Sequence, residues 1–154
     1  MAGDSALAEH LKVLTRTHQS MIWSRQRQTN ALRSMLREFY PGALVAFGDE
    51  LAGRDALAIL GIAPSPEAVR RLSLSKIAAA LRRAGRQRNL ESTAERISAA
   101  LRAPQLEAHP GVVGAYTAAV RSLVTVITAL VTQTEVLQSE VEAGLAGTRT
   151  LRST

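Results

Sequence analysis

Two stretches of alternating four- and three-residue spacing, one near each end of the chain, restrict it to a fold built on long helices. In the first, Leu7, Leu11, Leu14, His18, Met21, Arg25, Gln28, Leu32, Met35 and Phe39 fall at those steps. In the second, Val113, Tyr116, Val120, Leu123, Ile127, Leu130, Thr134, Leu137 and Val141 do the same. This spacing is the a/d seam of a coiled coil. Each stretch predicts a helix of about 35 residues, on the order of 50 Å long at ~1.5 Å per residue. No strand-type alternation competes, so the chain reads as all-α. The simplest arrangement is a long antiparallel coiled-coil hairpin with a small helical head at its far tip. His18, Arg25 and Gln28 are polar at the seam, where such residues fix register or mark the entry of a further helix or a nucleic acid.

The breakers divide the chain into residues 1–41, the first coiled-coil helix; 42–109, an Arg-rich head; 110–143, the second coiled-coil helix; and 144–154, a tail. Asp4 or Ser5 is expected to cap the first helix and Pro41-Gly42 to stop it. In the head, Ala43 to Phe47 reads as a short turn and Arg54 to Leu60 as a short helix ended by Gly61. Ser65 caps a new start with Pro66 in the first helical position. Ser73 or Ser75 caps a helix through Ala84, stopped by Gly85. Asn89 to Ala103 is amphipathic and closed by Pro104.

The 154 residues carry a net charge of +6, and Lys12 and Lys76 are the only lysines, so arginine sets the sign. A guanidinium grips phosphate bidentately, which suits a polyanion partner, although GC-rich codon usage also enriches Arg and Ala. The absence of cysteine excludes disulfides and thiolate metal sites and fits a reducing cytoplasm. Residues 1–10 are polar and acidic, unlike a secretory signal. Val112 to Val131 is apolar, but Arg121 and several hydroxyls interrupt it, so a helix buried on most sides is expected there rather than a membrane span.

The outward b and f positions of the first helix read Lys12, Arg16, Gln19, Trp23, Gln26, Asn30, Arg33 and Arg37, with no carboxylate among them. Solvated faces usually mix both signs, so this one points to a polyanion; the bland alternative is a solvated face whose Trp docks on another domain. A second basic run is Arg82-Arg83-Ala84-Gly85-Arg86-Gln87-Arg88, with Arg70, Arg71 and Lys76 nearby. The candidate nucleic-acid contacts are therefore Lys12, Arg16, Trp23, Arg27, Arg33, Arg37, Arg82, Arg83, Arg86 and Arg88. Nothing comparable supports catalysis. Asp49, Glu50 and Asp55 are expected to cap and pair with the helix at Arg54. His10, His18 and His109 are too far apart to suggest a metal site. No catalytic, cofactor-binding or metal-binding residues are assigned.

A distributed set of residues carries a family resemblance. It comprises Gly3-Asp4-Ser5, Leu7-Ala8-Glu9, Lys12-Val13-Leu14, His18-Gln19, Ile22-Trp23, Arg25, Arg27, Asn30 and Leu32-Arg33, then Leu36 through Pro41, Asp55-Ala56-Leu57, Ala63-Pro64 and Arg71-Leu72-Ser73. From about Ala2 to Glu142 the chain resembles the DEDD-type transposases of the IS one-ten insertion sequences, which use a structured bridge RNA to choose DNA sites. The resemblance implies a RuvC-like domain with four acidic metal ligands, then a long coiled coil, then a domain with a nucleophilic serine. This chain is similar to the linking part, from the end of the first domain through the coiled coil. Mg is expected only for the RuvC-like domain, and no metal role passes to Asp4. Gly144 to Thr154 does not resemble the family's continuation, as a frameshift or truncation would produce.

The resulting expectation is a transposase fragment, inactive alone, that binds guide RNA and DNA and forms homo-oligomers through the coiled coil, away from membranes. Two rival readings stand beside it. One is a helical oligomerisation module with no nucleic-acid role. The other is a small helical DNA-binding regulator that uses Ser73 to Arg88 for recognition.

Overall fold

The computed structural model describes the backbone of residues 2–153 and the side chains of residues 3–147. Those residues form seven helices and no strand: α1 (Ala2–Phe39), α2 (Pro41–Phe47), α3 (Arg54–Ile62), α4 (Pro66–Arg70), α5 (Leu74–Arg83), α6 (Leu90–Arg102) and α7 (Pro110–Ser153). They fall into two compact units, one made of Met1–Arg27 with Ala129–Thr154, the other of Gln28–Thr128.

The heptad positions behave as their spacing requires. All ten seam positions of α1 and all nine of α7 are buried or half-buried, whereas on the back of α1 Lys12, Arg16, Gln19, Trp23, Gln26, Asn30 and Arg37 are exposed. In the first unit α1 and α7 approach closely: a side chain added at Gly144 would stand 2.7 Å from Leu11 Cδ2. In the second unit Phe39 of α1 stacks on Tyr116 of α7, with ring centroids 5.1 Å apart.

The second unit holds the main core. Leu32, Leu36, Ile59, Leu60, Ile77, Leu81, Ile97, Leu101 and Ile127 are all wholly buried there. Tyr40 is wholly buried too, and its hydroxyl finds no hydrogen-bond partner among the described residues. Burial pushes its phenol well above the ordinary value. The unfolded chain therefore sheds this proton near pH ~10 while the folded chain keeps it, so stability falls as pH rises beyond that point, by about 1.4 kcal/mol per pH unit. Tyr40→Phe should raise stability by about 1 kcal/mol at neutral pH. Urea melts across the alkaline range should show the gap between the two proteins widening; parallel curves would refute the linkage.

Several local expectations are corrected. Asp4 and Ser5 lie inside α1, which already runs from Ala2. Pro41 opens α2 rather than ending a helix: the residue before a proline is disfavoured in helical geometry, so Tyr40 (φ −145°, ψ 56°) makes the break. Gly61 lies within α3, which ends where Pro64 forces Ala63 out of the helix (φ −134°, ψ 67°). Ser65 and Ser73 do cap, accepting from the Ala68 and Lys76 amides.

At α7 the helix is longer and barer than expected. It opens at Pro110, with His109 Nδ1 accepting from the Gly111 amide, and continues through the stretch read as a tail. It is not buried on most sides; its seam and Val124 beside it are covered, and Val112, Val126 and Val136 are exposed. Thr117, Thr125, Thr128 and Thr134 each donate their hydroxyl to the carbonyl four residues back. That bond quiets their polarity without a tertiary partner. Over Pro110–Gly147 the helix is long and apolar enough to cross a membrane by length and composition, with a mean hydropathy of 1.5 in its apolar 18-residue window.

Candidate nucleic-acid interface

The structure sorts the arginines by what they already hold. Three are used to finish short helices, whose last carbonyls lack partners within the helix. Arg33 donates to Gly48 O at the end of α2 (3.1 Å), and Arg96 donates to Ala46 O of the same helix (2.9 Å). Arg102 donates to Val69 O and Leu72 O at the end of α4. A helix of five or seven residues is too short to stand by propensity, so these forks, together with packing on α6, hold α2 and α4 in place. Arg33 was a candidate contact; its guanidinium is engaged within the fold.

A cleft of about 860 Å³ in the second unit has an apolar floor that includes Phe39 and Leu101, with a rim of arginines. It is a poor phosphate site because three of its four lining arginines are already engaged, Arg121 being the exception. Arg70 pairs with Glu107 (3.3 Å), Arg71 with Glu67 (2.8 Å), and Arg102 holds backbone.

Two groups of uncommitted cations stand out, beside the isolated Lys76 and Arg121. Among the described residues, Lys12, Arg16, Arg37, Arg82, Arg83 and Arg88 form no ion pair. On the first unit's part of α1, Lys12 and Arg16 share the exposed back of the helix with Trp23, whose surface is 60% exposed. Arg27, beside them, donates to Ser24 Oγ within its own helix (3.1 Å). An indole this open gains little from folding, and a flat aromatic face between guanidiniums is chemically suited to stacking on an unpaired base. Arg37 is exposed on the second unit's part of α1.

The second group surrounds the end of α5. Here the run 82–88 is not one uniform patch. Arg82, Arg83 and Arg88 are exposed, but Arg86 is half-buried and bound to Asp55 through both Nε (3.0 Å) and Nη2 (2.6 Å). The hydrogen bonds that Arg86 donates to Asp55 push its guanidinium further up from its ordinary value. Asp55 does lie in the first turn of α3, but Gly53, not an acid, is the N-cap residue there. The Asp55–Arg86 pair spans 31 residues and joins α3 to the turn after α5, so no spacing in the sequence signals it. Among the described residues no cluster of three or more His, Asp or Glu could hold a metal ion.

No family model matches the chain, and no solved structure does. Among curated proteins it is 38% identical over 119 residues to the candidate mini-circle transposase for IS117 from Streptomyces coelicolor. The match takes in 75% of this chain but 29% of that protein, so the chain spans under a third of its relative. Over three quarters of its length the chain is thus homologous to a segment of an insertion-sequence transposase.

Proposed function

We propose that this chain is the coiled-coil segment of a bridge-RNA-guided transposase and serves DNA transposition as a nucleic-acid-binding and oligomerisation module. The observation that carries the binding role is the back of α1. Lys12, Arg16 and Trp23 stand exposed there, with no carboxylate at the b and f positions and no ion pair among the described residues. The partner is a structured guide RNA together with its DNA, because the face offers charge for phosphates and a ring for an unpaired base.

The two long helices are read as the arms of an antiparallel coiled-coil hairpin. Their buried seams support it, as do the approach of Gly144 to Leu11 in one unit and the Phe39–Tyr116 stack in the other. A second copy would cover the exposed valines of α7, which favours self-association in the cytoplasm over insertion into a membrane. Alone, the segment is inert: metal and serine chemistry belong to the rest of a full-length transposase.

The test is a titration of the purified chain against the structured RNA flanking its element and against duplex DNA, at low and physiological salt. Affinity should favour the RNA and fall by orders of magnitude between about 50 and 200 mM salt. Self-association that ignores salt, with no binding to either nucleic acid, would leave a plain oligomerisation module. Preference for the duplex would favour a DNA-binding regulator.

A further inference from the structure

We propose that Asp55, an acid, is a positioning residue for polyanion binding: with Arg86 it fixes the turn at 84–89 so that Arg82, Arg83 and Arg88 grip phosphates of a folded nucleic acid. The inference deepens the reading above and rests on it. The turn is held at several points. Gly85 (φ 105°) closes α5, with the Ala84, Gly85 and Arg86 amides donating to the Ala80, Arg82 and Leu81 carbonyls. The last arrangement is a Schellman-type stop, which needs a residue free to adopt positive φ. Asn89 (φ 55°) then redirects the chain into α6. Between these two reversals Arg86 reaches back across the unit. It places two donors on Asp55 Oδ2 and a third on Arg88 O (3.3 Å), tying the turn both to α3 and to itself.

The division of labour follows from what each group has left to offer. Backbone amides already satisfy the closing carbonyls of α5, so Arg82 and Arg83 are not needed to cap it. Arg86 is committed to Asp55 and to Arg88 O. Arg82, Arg83 and Arg88 keep their forks for an outside ligand. Arg88 lines a shallow depression of about 380 Å³ together with Arg54, Asp55 and Arg86. Asp55 is the one carboxylate beside three arginines in that lining, and it is turned onto Arg86.

The test sets two effects of opposite sign against each other. Asp55→Asn makes the chain more positive, so long-range attraction alone predicts tighter binding to any polyanion. Loss of positioning predicts weaker binding, by about tenfold, within the range for coupled neighbouring groups. The full chain is titrated by fluorescence anisotropy against a labelled RNA hairpin and a DNA duplex of equal length, over a salt series. Helix content and melting of each variant are followed by circular dichroism. Asp55→Asn should bind more weakly with helix content kept, and Asp55→Glu should recover most of the affinity. The triple variant Arg82→Gln, Arg83→Gln, Arg88→Gln breaks no tertiary contact and keeps the fold testable. It should make the slope of log K against log salt shallower by about 3. Equal or tighter binding by Asp55→Asn, or an unchanged slope in the triple variant, overturns this inference while leaving nucleic-acid binding intact. A wild-type chain that binds neither probe overturns both.

Discussion

Gly42→Ala should destabilise the second unit by about 3 kcal/mol and lower the melting temperature by roughly 6–12 °C, although alanine is the better helix former. Gly42 lies in α2 where that helix crosses α6. A methyl group there would stand 2.7 Å from Ala100 O and 2.9 Å from Gln105 Nε2. The glutamine can move; the Ala100 carbonyl belongs to the backbone of the last turn of α6 and cannot move without shifting that turn. The Gly42 amide also donates to Gln105 Oε1 (2.8 Å), whose amide nitrogen in turn donates to Leu101 O (2.9 Å). Separating α2 from α6 would strand this chain of bonds as well. Gly61→Ala supplies the contrast. Gly61 is also helical, but it is exposed and an added methyl meets nothing within 4 Å, so that variant should gain up to about 1 kcal/mol. Thermal melts of the two variants check the argument. If both move the same way, the crossing of α2 and α6 is not as close as described.

Combining Lys12→Gln, Arg16→Gln and Trp23→Ala should lower affinity for structured RNA by roughly 100-fold or more at physiological salt while leaving the melting temperature within ~2 °C of the parent. Base stacking on one aromatic ring is worth about 1–3 kcal/mol, and each lost phosphate contact makes the salt slope shallower by about 1. All three side chains are exposed on α1 and none carries a tertiary hydrogen bond, so stability has little to lose. Trp23→Ala alone separates the contributions, because stacking alters affinity without altering the salt slope. A triple variant that binds as the parent does would move the RNA away from this face. Quenching of Trp23, the only tryptophan, reports the contact directly in the parent.

The long elements were legible because their instructions are local and repeated. One side chain every three or four residues over ten turns cannot be satisfied by another structure, and the seam positions of α1 and α7 are those the periodicity names. Serine caps at Ser65 and Ser73 were legible for the same reason: the capping group and the amide it accepts from are three residues apart. The misread breaks at Tyr40 and Ala63 both precede a proline or its neighbour, where the restraint falls on the residue before the breaker rather than on the breaker itself.

The candidate site divides along the same line. That Lys12, Arg16 and Trp23 lie on an outward face follows from helical phase, which the sequence alone specifies. Which arginines are free does not. Arg33, Arg96 and Arg102 serve as helix ends, and Arg86 serves Asp55, across separations of 15 to 50 residues. A guanidinium's partner is whichever carbonyl or carboxylate the packing brings within 3 Å, and composition weighs every arginine alike. By itself the sequence determined an all-helical chain with two long seams and an acid-free basic face. Only the tertiary structure decided which charges the fold consumes, because that depends on how short helices, too weak to stand alone, are pinned against their neighbours.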